Sequence, residues 1–325
     1  MEYEAKVSLL SPCYNVSQYL PTFLGSVLSQ SYLPYEVILV DDGSTDCTAE
    51  VIEQYRSAFE EKGINYRYIW KENGGQASAV AKGLPLVTGD YLIWPDSDDF
   101  LLEDSIRKRV RYMECHPDCG IVRSNGYIYD EKNTSKPIGE ISKRKKTRNT
   151  LEDFVKFIVP WCPGCYMIRM AALDHVNPER KIFCSVCGQN IQMLLPLVSV
   201  YPCHYLDAFL FGYVIHEKSH SHKKKTYEEA SRHIDDMKEC VDQTLKILHG
   251  DFSEYIELHN SFNRRVHFET AWQYEDVCGM ERYEAEMRRH GAFYVDYWIR
   301  KYIPPKSKAA GMIRYISAIR RRIIR

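Results

Sequence analysis

The sequence has no apolar run near the ~18 residues that a membrane-spanning helix requires. Nor does it open on an export signal: Met1–Lys6 leads straight into an apolar stretch too brief for a signal core. Eleven cysteines without such a signal are expected as reduced thiols in a cytosol, not as a disulfide framework. Excess charge is missing too: the 325 residues sum to −1, which argues against a dedicated nucleic-acid binder. No repeat or low-complexity tract is visible. One local absence points elsewhere. From Tyr297 onward there is no Asp or Glu, while Arg300, Lys301, Lys306, Lys308, Arg314, Arg320, Arg321, Arg322 and Arg325 all occur. What is present is a 45% share of apolar residues, enough for a proper core.

The first ~130 residues alternate strand and helix patterns, which implies βαβ units and a mainly parallel sheet. Strands are expected over Lys6–Ser11, Tyr35–Val40, Asn65–Trp70, Tyr91–Trp94 and Gly120–Tyr129, and a helix over Ser105–Cys115. Ser17 and Thr45 are placed to cap the first two helices. Asp130–Asn149 reads as a polar, solvated loop with a basic run at Lys143–Lys146 and Arg148. Leu151–Tyr213 mixes short elements, and from about Tyr227 the pattern is helical, broken at Pro304-Pro305.

Two acidic clusters fall after expected strands: Asp41-Asp42, and Asp96, Asp98 and Asp99. In an open α/β sheet, ligands bind outside the carboxyl ends of the strands. Three carboxylates within four residues repel one another unless a cation or donor lies between them. Hard oxygen ligands suit Mg²⁺ or Mn²⁺ bridging to phosphates. Solvated helix caps would explain one cluster. Two at adjacent strand ends favour a nucleotide–metal site.

Ser11-Pro12-Cys13-Tyr14-Asn15, Val40–Ser44, Asn73-Gly74-Gly75, Gly89-Asp90-Tyr91 and Asp96-Ser97-Asp98-Asp99, in this order and spacing, resemble family 2 glycosyltransferases of the GT-A fold. The resemblance covers roughly residues 5–225. It implies a Rossmann-like α/β fold with helices flanking the sheet and, here, a helical C-terminal extension. It implies a GT-A domain over 1–225, its nucleotide-binding half over 1–130 and acceptor half over 131–225, followed by a helical region over 226–325. It also implies inverting transfer from a nucleotide diphosphate sugar, expected to be UDP-linked, to a glycan or lipid-linked hydroxyl. By analogy Pro12, Tyr14, Asn15, Asp41, Asp42, Asn73, Gly74 and Asp96 bind the nucleotide. Asp96 and Asp98 match the DxD motif that holds ribose and metal, and His216 matches a late histidine that reaches the metal, with His220 and His222 as alternatives.

Two departures stand out. Where the family often carries an Arg and an Asn after Gly75, this sequence has Val80 and Ala81, so either a phosphate contact is absent or Lys82 is expected to supply it. Where the family carries a Glu-Asp pair that includes the acceptor's base, this sequence has Gly188-Gln189-Asn190. Amides are not bases near neutral pH. Gln189 and Asn190 are therefore expected to orient a substrate, and Asp99 or Glu179 to be the base. The missing acids also leave open a catalytically idle glycan- or nucleotide-binding protein.

Other motifs have bland readings. His216–His220 fits HExxH, but after the β-like run Phe209–Ile215 it reads as a strand end. Cys162, Cys165, Cys184 and Cys187 have zinc-ribbon spacing, yet free buried thiols are expected. Beyond Pro305, Met312, Ile316, Ile319 and Ile323 form one helical face among arginines. That amphipathic helix is expected to dock on an anionic membrane surface, which would make the protein peripheral on the inner face of the cell membrane. Packing on the protein's own helices would use the same stripe.

Overall fold

The computed structural model describes residues 4–143, 148–183, 188–216, 225–291, 300, 302, 303, 305 and 307. The strands are β1 (Val7–Cys13), β2 (Glu36–Asp41), β3 (Asn65–Trp70), β4 (Tyr91–Ile93), β5 (Phe100–Leu101), β6 (Ile121–Asp130), β7 (Gly139–Glu140), β8 (Arg148–Asn149), β9 (Tyr166–Arg169) and β10 (Cys203–Ile215). The helices are α1 (Leu20–Leu28), α2 (Thr48–Gln54), α3 (Arg56–Glu61), α4 (Gln76–Gly83), α5 (Ser105–Cys115), α6 (Leu151–Val155), α7 (Met170–Val176), α8 (Gln189–Val200), α9 (Tyr227–Lys246), α10 (Ser253–Gln273) and α11 (Val277–Arg289). Two compact units divide the chain: Met1–Lys223 with Gln243–His249, and Lys224–Asp242 with Gly250–Arg325.

In the first unit, ten strands form one sheet in the order β3-β2-β1-β4-β9-β6-β10-β5, with β7 on β6 and β8 on β10. The β1–β2, β2–β3, β1–β4 and β6–β10 ladders are parallel. The antiparallel ladders span two or three residue pairs each. β1 and β2 are buried along their whole length, as strands covered on both faces must be, and so they read as near-continuous apolar runs. β3 lies at the edge of the sheet and alternates in exposure.

Glu36 is an exception inside this core. Its buried carboxylate accepts hydrogen bonds from Ser8 Oγ (2.6 Å), Thr88 N (2.6 Å) and Thr88 Oγ1 (2.9 Å). It thereby ties β1, β2 and the turn before β4 together, and its hydrogen bonds offset the cost of burying charge. Gly83 lets α4 lie tightly on the sheet: a Cβ there would sit 2.3 Å from Leu10 Cδ1 and 3.0 Å from Val40 Cγ2. Neither expected cap forms. α1 is preceded by Tyr19 and α2 by Cys47, both without a side-chain cap. Ser17 Oγ instead donates to Asp46 (2.7 Å), and Thr45 N donates to Asn15 Oδ1 (2.8 Å).

The second unit holds α10, α11 and most of α9. Phe268, Ala271, Trp272, Met280, Tyr283 and Met287 form its core, with Tyr227 and Ile303 packed against them. Asp276 caps α11 by accepting from Gly279 N at 3.1 Å. Among the described residues, no helix is long and apolar enough to cross a membrane. The basic stripe beyond Pro305 lies outside the described residues except Ser307.

Candidate active site

β2 and β4 both pair with β1, so the two acidic clusters are not on adjacent strands as expected. They flank the carboxyl end of β1, where Pro12–Asn15 run. This is a switch point, where the strand order reverses and a crevice opens. Asn15 has a positive φ of 51°. Its N–H donates to Ser44 Oγ at 2.9 Å, which joins the β1 turn to the β2 turn. Tyr14 is exposed beside it.

Asp41 is buried. Its Oδ1 accepts from Ser44 N (2.8 Å) and its Oδ2 from the Tyr68 hydroxyl (2.9 Å). Asp42 organises a loop. Its Oδ1 accepts from Gly74 N (3.0 Å) and Lys71 Nζ (2.5 Å), and its Oδ2 accepts from Gly75 N (2.7 Å). Asn73 Nδ2 donates to the Asp42 carbonyl at 3.0 Å. Gly43, at φ 76°, lets this loop pass close by: a Cβ there would meet Asn73 N at 2.8 Å. The expected residues Asp42, Asn73 and Gly74 thus form one hydrogen-bonded assembly.

At the end of β4, Asp96 accepts from Gln76 Nε2, the first residue of α4. Burial and then the charge of Asp98 push the Asp96 carboxyl up to about 8. Asp98 contacts His216 Nε2 at 2.8 Å. His216 follows β10 directly and is buried, its ring 4.4 Å from that of Tyr19. The Tyr19 hydroxyl, pushed up to about 12 by burial and then by Glu131, donates to Glu131 at 3.0 Å. Asp99 is shut off from solvent at 1% exposure. Its Oδ1 accepts from Val214 N at 2.8 Å, while its Oδ2 is buried without a partner. Burial, then Asp98 and Asp96, raise its carboxyl well above the usual range. Asp99 therefore braces the strand end to β10. Among the described residues no group of three or more His, Cys, Asp and Glu gathers as a metal site: Asp98 and His216 meet, while Asp96 turns to Gln76.

Gly188, at φ 91°, opens α8, and Gln189 and Asn190 form its first turn. Asn190 Oδ1 accepts from Trp94 Nε1 (2.9 Å) and its Nδ2 donates to the Trp161 carbonyl (3.0 Å). Both ends of the amide are spent within the protein. Gln189 is buried, and its side chain makes no hydrogen bond among the described residues. Lys82 is not brought to the acids: it is exposed in the last turn of α4, with Gln76 at the other end. Glu179 is exposed and paired with Lys181 at 2.8 Å. Cys162 and Cys165 flank a short turn, and Cys184 and Cys187 lie outside the described residues, as do Glu217–His220 and His222.

Sequence reasoning missed Lys71, Gln76, Trp94 and Tyr19. Lys71 carried a weak signal, as a cation immediately after a strand; the others carried none.

The model of Glycosyl transferase family 2 matches residues 8–176. The chain is 36% identical over 126 residues to the glycosyltransferase GlyG of Streptococcus pneumoniae, covering 38% of this chain and 40% of that one. It is 33% identical over 178 residues to the putative glycosyltransferase EpsE of Bacillus subtilis, covering 54% and 61%. The match to the S. pneumoniae glycosyltransferase GlyA spans only 18% of that protein's length. Among solved structures, S. aureus TarS 1-349 in complex with UDP-GlcNAc superposes with a TM-score of 0.59 at 18% identity, over 86% of this chain and 80% of that one. The mannosyltransferase PcManGT from Pyrobaculum calidifontis, in complex with GDP-Man and Mn²⁺, gives 0.58 at 14% identity, over 98% and 81%. These likenesses speak for the fold, which is GT-A. The family match covers more than half of the residues and takes in both acidic clusters, so the chain belongs to glycosyl transferase family 2.

Proposed function

We propose that the chain moves a sugar, with inversion, from a UDP-linked donor to a hydroxyl of a glycan or lipid-linked acceptor. The Asp98–His216 contact beside the Asp42-braced loop, at the switch point of the sheet, carries this reading. A carboxylate oxygen suits Mn²⁺ or Mg²⁺, and the imidazole nitrogen favours Mn²⁺ over the oxygen-preferring Mg²⁺; diphosphate oxygens and water commonly fill the other positions. Burial raises Asp96 first and the charge of Asp98 second, and such a cation would relieve the second. Asp98 and His216 would hold it, and when bound it would stabilise the charge growing on the leaving diphosphate. Tyr19 keeps the His216 ring in place. Asp41, Asp42 and the Asn73–Gly75 loop shape the nucleotide crevice. Asn190 fixes Trp94 just before the acids and takes no proton.

The test is a thermal-shift screen. UDP or a UDP-sugar with Mn²⁺ should raise the melting temperature by a few degrees, since ligand at a hundredfold excess over Kd adds about 2.7 kcal/mol. GDP and CMP should do less. Equal shifts from all three would overturn the uridine assignment. The engaged amide of Asn190 also favours a second reading, an idle nucleotide- or glycan-binding protein. In that case the shift would persist without any turnover.

Asn190→Asp should lower stability without raising the rate. A carboxylate oxygen would then face the Trp161 carbonyl, at a cost of about 1–3 kcal/mol. Thermal denaturation and initial rates measure both, and a sharp gain in rate would make this position the site of a missing base.

Attachment to an anionic membrane face through residues 306–325 completes the reading. The full chain should float with anionic liposomes at low salt and sink at high salt, while a chain ending at Pro305 should stay in solution. Equal behaviour of the two would remove the membrane role.

A further inference from the structure

The helical unit carries a cavity of its own, of about 480 Å³, between α9 and α11. That lies within the range of small-molecule sites, about 300–1,000 Å³. One wall is rigid. Tyr283, nearly buried, stacks on His267 with ring centroids 4.5 Å apart and planes 10° apart. His267 is itself held at both ring nitrogens, by Asp235 Oδ1 at 3.0 Å and Ser231 Oγ at 3.4 Å. The rim is polar and open-handed. Glu228 and Arg232 stand one helical turn apart on α9, both exposed, and neither makes a hydrogen bond or ion pair among the described residues. Opposite them, Asp276 and Arg282 also line the cavity.

The mix of groups selects a ligand class. Carboxylates of Glu228, Asp235 and Asp276 accept hydrogen bonds, and the guanidinium groups of Arg232 and Arg282 donate them. A polyphosphate would meet the carboxylates and a polycation the arginines, each at a cost in repulsion. Sugar hydroxyls both donate and accept, so a neutral saccharide can meet both kinds of rim group, the unpaired Glu228 and Arg232 first, without repulsion. A wall already locked by hydrogen bonds and stacking loses little freedom on binding. The geometry points to a neutral-saccharide site in the helical unit, separate from the GT-A cleft. Resting on the transferase reading, this site engages a part of the acceptor glycan that does not react.

Saturation-transfer NMR on the full chain tests it. The probes are neutral tetrasaccharides of glucose, mannose, galactose and N-acetylglucosamine, with an oligogalacturonate as the anionic control. At least one neutral probe should receive saturation, and saturating UDP with diamagnetic Mg²⁺ should leave that signal intact. The exposed double variant Glu228→Ala/Arg232→Ala should weaken binding at least tenfold while keeping the wild-type melting temperature. Silence from all neutral probes, binding of the anionic control alone, or displacement by UDP with no effect of the double variant would overturn the site. Binding here with no sugar transfer would leave this site standing and refute the transferase reading, and transfer without binding here would do the reverse.

Discussion

Asp98→Ala is expected to lower the turnover of sugar transfer by about two orders of magnitude or more. Asp98 alone among the strand-end acids meets His216, at 2.8 Å, and the side chain is still partly open to the crevice. Asp96 is engaged by Gln76 and Asp99 by Val214 N, so neither is free to replace it. The loss should appear in kcat, because an ion that stabilises a growing charge acts on the transition state more than on the bound donor. Excess Mn²⁺ should fail to restore the rate. In the native protein a chelator should reproduce the loss, and added Mn²⁺ should reverse it. Full-rate transfer in chelator would remove the metal from the reading. Initial rates of nucleotide release, with and without chelator, decide it.

Asp42→Ala should strike binding. Its carboxylate receives the amides of Gly74 and Gly75 and the Lys71 ammonium, and alanine removes all three hydrogen bonds at once. Hydrogen bonds to charged groups contribute about 1.5–3 kcal/mol each, and water recovers part of that in an open loop. A net loss of about 2–3 kcal/mol would weaken UDP binding by roughly thirty- to 150-fold. Calorimetric titration with UDP measures it. Asp42→Asn should recover part of the affinity, since one amide oxygen still accepts. An unchanged Kd in Asp42→Ala would mean that the loop holds its shape without this brace.

Long periodic elements were legible in the sequence. β3 at Asn65–Trp70 and α5 at Ser105–Cys115 match their expected bounds, because six and eleven residues of consistent pattern override local noise. β5, β7, β8 and β9 escaped notice, as two to four residues are too few to show a period. The cap assignments failed for a different reason. Ser17 and Thr45 obey the local rule, but contacts to Asp46 and Asn15, about thirty residues away in the chain, hold them in the preceding turns, and each helix starts three residues later.

The site divides in the same way. Asp41, Asp42, Asp96 and Asp98 could be found because each lies at or just beyond the end of a strand, where ligands of such sheets bind. The Lys71–Asp42 and Gln76–Asp96 contacts join residues 29 and 20 positions apart, through loops whose course depends on packing. The position of β1 between the two clusters is likewise a fact of topology, which pattern alone does not give.

The Asn190 amide joins Trp94, at the end of β4, to the Trp161 carbonyl and the start of α8. One side chain thereby bonds both the segment that precedes the strand-end acids and the Trp161 segment, so a shift of either strains the same amide. Coupling of this kind is reciprocal. If the chain transfers sugar as proposed, whatever factor a bound donor applies to the acceptor's affinity, the acceptor applies in return to the donor.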